Sequence, residues 1–314
     1  MSSIELSDAD LQSILDFTSA LALKAGELIL EGSEAIAASG NVDEKKNSVD
    51  LVTEYDVRVE ELVREEIKKA YPGFRLCVSA FGGDLALADV VVASGRNPTL
   101  RERDRTCQTT QPSASTQSMV ITTSCCRCRS SDTNPGTTNF IHGFPFVAIS
   151  LGLIYKKRPV LGVIYNPFLD YLYTGIRGHG SHLSKNKRPP QKLPLSTPRP
   201  LPSLSQALIA VGWGSDRSQV GAGSKAESFL RLAGDPNHAS PVKGGKMAHS
   251  LRSPGSSALS FSMVAQGGLD MYWYVVTHLA LASLYGWLLC AGEQVGTSFE
   301  AWVTSALTVT IDAF

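Results

Sequence analysis

Residues 132–153 read DTNPGTTNFIHGFPFVAISLGL. The first part, Asp132-Thr133-Asn134-Pro135-Gly136-Thr137-Thr138-Asn139, is polar and turn-forming. From Phe146 the chain turns β-branched and aromatic, as a strand does. A glycine followed by hydroxyl residues offers bare backbone N–H groups to a phosphate. An aspartate just ahead of it suits Mg²⁺, which takes one or two carboxylates together with phosphate oxygens. The same residues also make an ordinary Asx/Gly turn before a strand. Taken alone they leave both readings open.

C-terminal to this stretch the pattern is an antiparallel meander. Phe146–Tyr155 is followed by the polar, proline-marked Lys156-Lys157-Arg158-Pro159. Val160–Tyr165 returns, Asn166-Pro167 turns again, and Tyr171–Thr174 forms a third strand. N-terminal to it lie two helices. Ser7-Asp8-Ala9-Asp10 resembles a capping box. Leu11, Ile14, Leu15, Leu21, Ala22, Ala25, Leu28 and Ile29 then recur at helical spacing. Residues 31–45 read as a loop. A second helix passes through Val59, Leu62, Val63 and Ile67 and stops at Pro72-Gly73. Residues 189–202 hold six prolines, which exclude a helix or a central strand. Beyond them, Ala207–Val211 reads as a strand, Lys225–Leu232 as a helix, and Ser256–Gln266 as a helix stopped by Gly267-Gly268. The expected organisation is an α+β half over 1–188, a Pro-rich linker over 189–202 and an α/β half over 203–314.

Composition bounds the function. The chain of 314 residues balances 29 basic against 29 acidic side chains, so it has no overall pull on nucleic acid or an anionic membrane. Its hydrophobic content of 43% excludes a wholly disordered chain. The N-terminus is acidic and amphipathic and lacks a secretory leader pattern, so a cytoplasmic location is expected. Cys125-Cys126-Arg127-Cys128 has neither the ligand spacing nor the second pair of a zinc site. Gly178 and Gly180 lack the third glycine of a dinucleotide fingerprint. Gly244-Gly245-Lys246 is followed by Met247, so it is no P-loop. No G-x-S-x-G elbow is present.

Two stretches fit a folded core poorly. Residues 101–131 are rich in serine, threonine and cysteine. Met119, Val120 and Ile121 are their only aliphatic residues longer than alanine, so a surface segment is expected there. Residues 271–292 carry no Asp, Glu, Lys or Arg and are long enough to cross a bilayer. Thr277, His278, Ser283 and Gly286 interrupt them, and no basic cluster flanks them. A buried segment is the better reading of that run.

The wording GTTNFIHGFPFVAISLGL resembles the centre of the inositol monophosphatase family, where a D-P-I-D-G-T-T-N-F run opens a strand. KKNSVDLVTEYDVRVEE (45–61), GVIYNPFLDYLYTGIRGHGSHLS (162–184), ALIAVGWGSDRS (207–218) and MAHSLRSPGSSALSFSMVAQGGLDMYW (247–273) extend the resemblance. It is strongest to the fungal branch that includes quinate-utilisation-cluster homologues. The resemblance implies a layered αβαβα sandwich of the α/β class and a phosphomonoesterase that is often a homodimer. It implies Mg²⁺ as cofactor and a small phosphorylated polyol as substrate. It implies roles for single residues: Asp132 and Asp56 at metal sites, with Lys45 in support. Gly136 and Thr137 would cradle the phosphate, Thr137 would orient the attacking water, and Ser257 would contact the polyol ring.

Other family positions have changed. Pro135 stands for the second aspartate of D-P-I-D and Asn134 for its isoleucine. Where the family places its G-E-E motif, this chain reads Leu76-Cys77-Val78-Ser79-Ala80-Phe81-Gly82-Gly83. In ungapped register Tyr274 replaces a sugar-binding glutamate and Leu281 the aspartate of W-D-x-x-A-G. The losses fall in 77–131 and 274–314, and each segment begins abruptly after family-like wording. A wrong reading frame or retained introns account for that better than drift, which substitutes single residues. A pseudoenzyme that drifted is the rival.

Val275, Val276, Leu279, Leu281, Leu284, Tyr285, Trp287, Leu288 and Leu289 would leave a helix apolar on nearly every face. A domain edge covers one face only, and the rest promotes association. The full-length chain is therefore expected to sediment as large species, and a chain ending at Trp273 as a smaller, defined one. A monodisperse full-length chain beside an aggregating truncation would make the tail a packed element.

Overall fold

The structure, a computed structural model, describes residues 6–38, 44–78, 118–123, 139–155, 158–197, 200–212 and 218–273. Helix α1 (Asp8–Ala38) starts at the capping box. The Asp10 carboxylate accepts from the Ser7 backbone N–H at 2.9 Å, and Ser7 Oγ accepts from the Asp10 N–H at 3.2 Å. Two otherwise orphaned donors are thus satisfied reciprocally. Ile14, Leu21, Ala22, Ala25 and Ile29 form the buried stripe. The helix runs past the expected loop at residue 31 to Ala38. Gly32 does not break it, because α2 (Glu44–Ala70) lies against Gly32. A Cβ there would sit 2.6 Å from the Tyr55 ring and 3.0 Å from Phe140. The missing side chain is what lets three elements meet.

Both helices cover one face of a seven-stranded sheet in sequential order β1 to β7. The strands are β1 (Arg75–Val78), β2 (Ser118–Thr123), β3 (Ile149–Tyr155), β4 (Arg158–Asn166), β5 (Tyr171–Ile176), β6 (Gly180–Lys185) and β7 (Gln191–Lys192). All neighbours are antiparallel except β1 and β2. Period-two alternation sorts the side chains. Ile149, Leu151 and Leu153 lie opposite Tyr165, Val163 and Leu161 and join the helices in one core. Ala148, Ile164, Tyr173 and Leu183 face the other side.

The strand β2 corrects the expectation for 101–131. Met119, Val120 and Ile121 pair with Leu153, Gly152 and Leu151 of β3, so this part of the segment is a sheet element. Three aliphatic residues followed by Thr122-Thr123 are enough for a strand when a formed edge receives them. Cys77 and Val78 are likewise in β1. The remainder of 77–131, and 274–314, lie outside the described residues. Within the Pro-rich stretch, Gln191-Lys192 pair with β6 and Leu193 is buried.

The other sheet face receives α4 (Ser257–Gln266), through Ala258, Leu259 and Ala265. Gly267 at φ +83° ends that helix, in the left-handed conformation that favours glycine. Beyond α4 lies a three-stranded parallel sheet, β10 (Met271–Trp273), β8 (Leu208–Val211) and β9 (Ser250–Arg252), in that order. Tyr272 meets Phe261 of α4 edge-on at 4.8 Å. Ile209, Val211 and Met271 form a core with Phe229 and Leu232 of α3 (Gln219–Ala233). The layers run helix pair, large sheet, α4, small sheet, α3. This is the expected α/β layered sandwich.

Replacing Gly32 by alanine is expected to destabilise the protein by about 1–3 kcal/mol, the usual cost of forcing atoms into a filled core. Urea unfolding of Gly32→Ala beside the parent chain measures it.

Candidate phosphate and metal site

Residues 139–141 form a single helical turn. Its first residue, Asn139, ties two distant segments of the chain together. Asn139 Nδ2 donates to Phe146 O at 3.0 Å and to Pro254 O at 2.9 Å. Gly255, at φ +80°, approaches the same side chain so closely that a Cβ would lie 3.0 Å from it. Asn139 therefore fixes the segment before β3 against the loop that opens α4. Nearby, Asn166 is buried and clamps the end of β4. It donates to Pro145 O at 3.0 Å and accepts from the N–H groups of Phe168 and Leu169.

The expected site residues divide by location. Asp132, Gly136 and Thr137 lie outside the described residues. Lys45 is in the first turn of α2. Asp56 is on α2, and both its carboxylate oxygens are closed to solvent. Ser257 is the first residue of α4. Its Oγ lies 2.9 Å from the Tyr272 hydroxyl. Phe261 packs against the ring of that tyrosine.

Sequence reasoning gave no role to Asn139, Tyr272 or Asp270. The Asp270 carboxylate accepts from Leu208 N–H at 2.8 Å, and the Asp270 N–H donates to Leu208 O at 3.0 Å. That pair of bonds starts the β8–β10 pairing. Polar residues beside glycine were the available signal, in T-T-N-F and G-G-L-D-M-Y-W. Asn139 reaches Pro254 and Asp270 reaches Leu208, each more than 60 residues away, which local wording does not reveal.

Two tyrosines mark how dry the large sheet is. Burial, with the hydrogen bond to Asp170 second, pushes the Tyr165 phenol up to about 12. Burial also pushes Tyr173 well above the usual phenol range. Its hydroxyl donates to Gln266 Oε1 at 2.8 Å, a bond between β5 and α4.

The profile of the inositol monophosphatase family matches residues 10–97 and 136–297, and the chain belongs to that family. Protein qutG of Emericella nidulans is 30% identical over 303 residues, covering 95% of this chain and 79% of that protein. Inositol monophosphatase 2 of Saccharomyces cerevisiae is 30% identical over 253 residues, covering 80% and 68%. Quinic acid degradation cluster protein x of Neurospora crassa is 27% identical over 326 residues, covering 98% and 82%. Among solved structures, Mycobacterium tuberculosis SuhB superposes with a TM-score of 0.59 at 21% identity, covering 92% of this chain and 86% of that one. The staphylococcal IMPase-II gives 0.55 at 21% identity, covering 89% and 79%. At that identity the structural likeness concerns the fold, and it agrees with the layers described above.

The match also locates the departure from the family. Residues 98–135 fall outside it, so Asp132 lies outside the matched blocks, while Gly136, Thr137, Asp56 and Ser257 lie inside. The second block continues through the tail to residue 297. Trp287-Leu288-Leu289-Cys290-Ala291-Gly292 meets the W-D-x-x-A-G pattern once a gap is allowed. Leu288, not Leu281, then stands at the metal aspartate. Either register puts an apolar side chain there.

Among the described residues no three His, Cys, Asp or Glu side chains come together. Asp56 is the one described carboxylate of the expected set. Prolyl, asparaginyl and leucyl residues at the changed positions supply no carboxylate oxygen to a hard cation.

Truncating Asn139 to alanine leaves Phe146 O and Pro254 O without their donor. The expected cost is about 1–3 kcal/mol of stability, read as a lower urea midpoint.

Proposed function

We propose that this chain is a homologue of Mg²⁺-dependent inositol-phosphate phosphatases that has kept the scaffold and the phosphate turn but not a working metal site. The observation that carries this is the pairing of a family match on both sides of the turn with the loss of the carboxylates that hold the ions. Gly136 and Thr137 would bind a phosphate monoester through backbone N–H groups. Ser257, with Tyr272 at its hydroxyl, would meet the polyol that carries it. Such a chain binds a phosphorylated polyol and releases product slowly or not at all. A binding or regulatory role on the phosphatase scaffold is the second reading, favoured by the same missing carboxylates. A homodimer belongs to either reading.

Inositol monophosphate incubated with the chain at millimolar Mg²⁺ is expected to stay intact at the sensitivity of a phosphate-release assay. Calorimetric titration with Mg²⁺ is expected to lack the multi-ion binding of a working phosphatase. Release of phosphate at a rate typical of enzymes would overturn this reading and restore the enzyme.

A further inference from the structure

The loop that follows α3 displays its residues instead of burying them. Pro236, Asn237, His238, Ala239, Ser240 and Pro241 are all exposed. The base of the loop is fixed. Val242 N–H donates to Asp235 O at 3.0 Å, and a Cβ at Gly234 would lie 2.5 Å from Val242. Lys246 N–H donates to Arg231 O at 2.8 Å and Met247 N–H to Gly234 O at 3.0 Å, which ties the chain back to the end of α3. From Pro236 to Pro241 there is no backbone–backbone hydrogen bond among the described residues. Side chains inside the loop serve two of its N–H groups. Asp235 Oδ1 accepts from Asn237 at 2.8 Å, and His238 Nδ1 accepts from Ser240 at 3.2 Å. Pro236 and Pro241 have no N–H to place. An enzyme can therefore grip this tip in another conformation without unpairing a helix or a sheet.

The tip reads Ser240-Pro241-Val242-Lys243. A proline restricts the residue before it to extended backbone, the form in which an enzyme cleft takes a peptide segment. A pocket for the residue after the serine that offers no acceptor admits proline. It rejects other residues, whose N–H would be buried unpaired. Three residues beyond the serine an extended chain has moved about 10 Å. Lys243 stands there, exposed and in no ion pair among the described residues. It is a separate point of recognition for an anionic group. An accessible hydroxyl, a missing N–H and a cation are the features that a proline-directed protein kinase reads.

Two other Ser/Thr-Pro pairs occur in the chain, and each lacks part of this set. Ser253-Pro254 has Ser256, not a cation, at the third position. It is also tied down, because Pro254 O accepts from Asn139 at 2.9 Å and Ser256 caps α4. Gripping that segment would undo both. Thr197-Pro198 has Pro200 at the third position.

We propose that Ser240 is the phosphoacceptor of a proline-directed protein kinase, with ATP as the phosphoryl donor. In the transfer Ser240 Oγ bonds to the γ-phosphorus of ATP. The bond from that phosphorus to the β–γ bridging oxygen breaks, and ADP leaves with the electron pair. The hydroxyl proton passes to the carboxylate base of the kinase. The modified tip gains a charge of about −1.5 to −2 at neutral pH. None of the residues given to the phosphate turn or the polyol lies in this loop, so the proposal stands apart from the question of phosphatase activity.

Incubating the full-length chain with Mg-ATP and a purified kinase of the cyclin-dependent class tests it, with the product mapped by mass spectrometry. The expected product carries one phosphoryl group on Ser240, with Thr197 and Ser253 unmodified. Ser240→Ala is expected to abolish incorporation at this tip, and Ser240→Thr to keep it. Pro241→Ala is expected to slow labelling by about tenfold or more, the effect of one buried unpaired N–H. Lys243→Ala is expected to slow it several-fold. Circular dichroism of these variants is expected to match the parent chain, because the altered side chains are exposed. Incorporation at Ser253 or Thr197 in place of Ser240 overturns the proposal. So does an unmodified chain in a reaction where a reference peptide is phosphorylated. Equal labelling of Pro241→Ala and the parent also overturns it, since Ser240 would then be no more than an accessible hydroxyl. Should a variant misfold, the map of the parent chain decides alone.

Discussion

One side-chain amide ties the segment before β3 to the loop before α4. Asn139 stands directly after the phosphate turn, and its two hydrogens go to Phe146 O and Pro254 O, 115 residues apart from the latter in sequence. The large sheet begins just past Phe146, and α4 begins just past Pro254. Both layers are therefore positioned relative to each other by the same group. The Tyr173–Gln266 bond and the Leu195 N–H donated to Gln266 O repeat the tie at the far end of α4. Helix α4 is thus pinned at both ends onto one sheet face. The three-stranded sheet can then pack on the side of α4 that remains.

The elements were largely legible in the sequence, because the signals that specify them are local. A Ser-x-x-Asp box started α1, Pro72-Gly73 ended α2, and Gly267 ended α4. The β-branched and aromatic run Phe146–Tyr155 marked β3. The misreadings came where a distant partner overrides a local signal. Gly32 reads as a break, yet the helix continues through it because Tyr55 and Phe140 need the space. Residues 118–123 read as surface, yet β3 offers them an edge to pair with. The candidate site was legible mainly through resemblance. Apart from the turn itself, its residues sit at separate places on the chain, and no periodicity connects Asp56 to Ser257.

The chemistry of the family asks for several carboxylates gathered from different segments around one phosphate. Such a site is fragile in a specific way. Packing tolerates the loss of any one segment as long as the layers still bury their faces, but the ion cluster does not. Here the faces remain: Val59, Val63 and Ile67 of α2 pack with Leu151 and Val163 of the sheet. The layers thus bury their faces independently of the site, and the match to the family continues through residue 297.

The strands of the small sheet have consequences for the order of assembly. Strands β3 to β6 are joined by tight turns and can pair as each leaves the ribosome. By contrast, β8 pairs in parallel with β10, some sixty residues later, and with β9 between them in sequence. Closing such long loops before any contact rewards them is slow. Until Met271–Trp273 has been made, one side of α4 and the edge of β8 stay uncovered, and Phe261 has no Tyr272 to pack against. The nascent chain thus carries a finished meander beside an unfinished layer, and an unpaired edge of this kind is where intermediates aggregate.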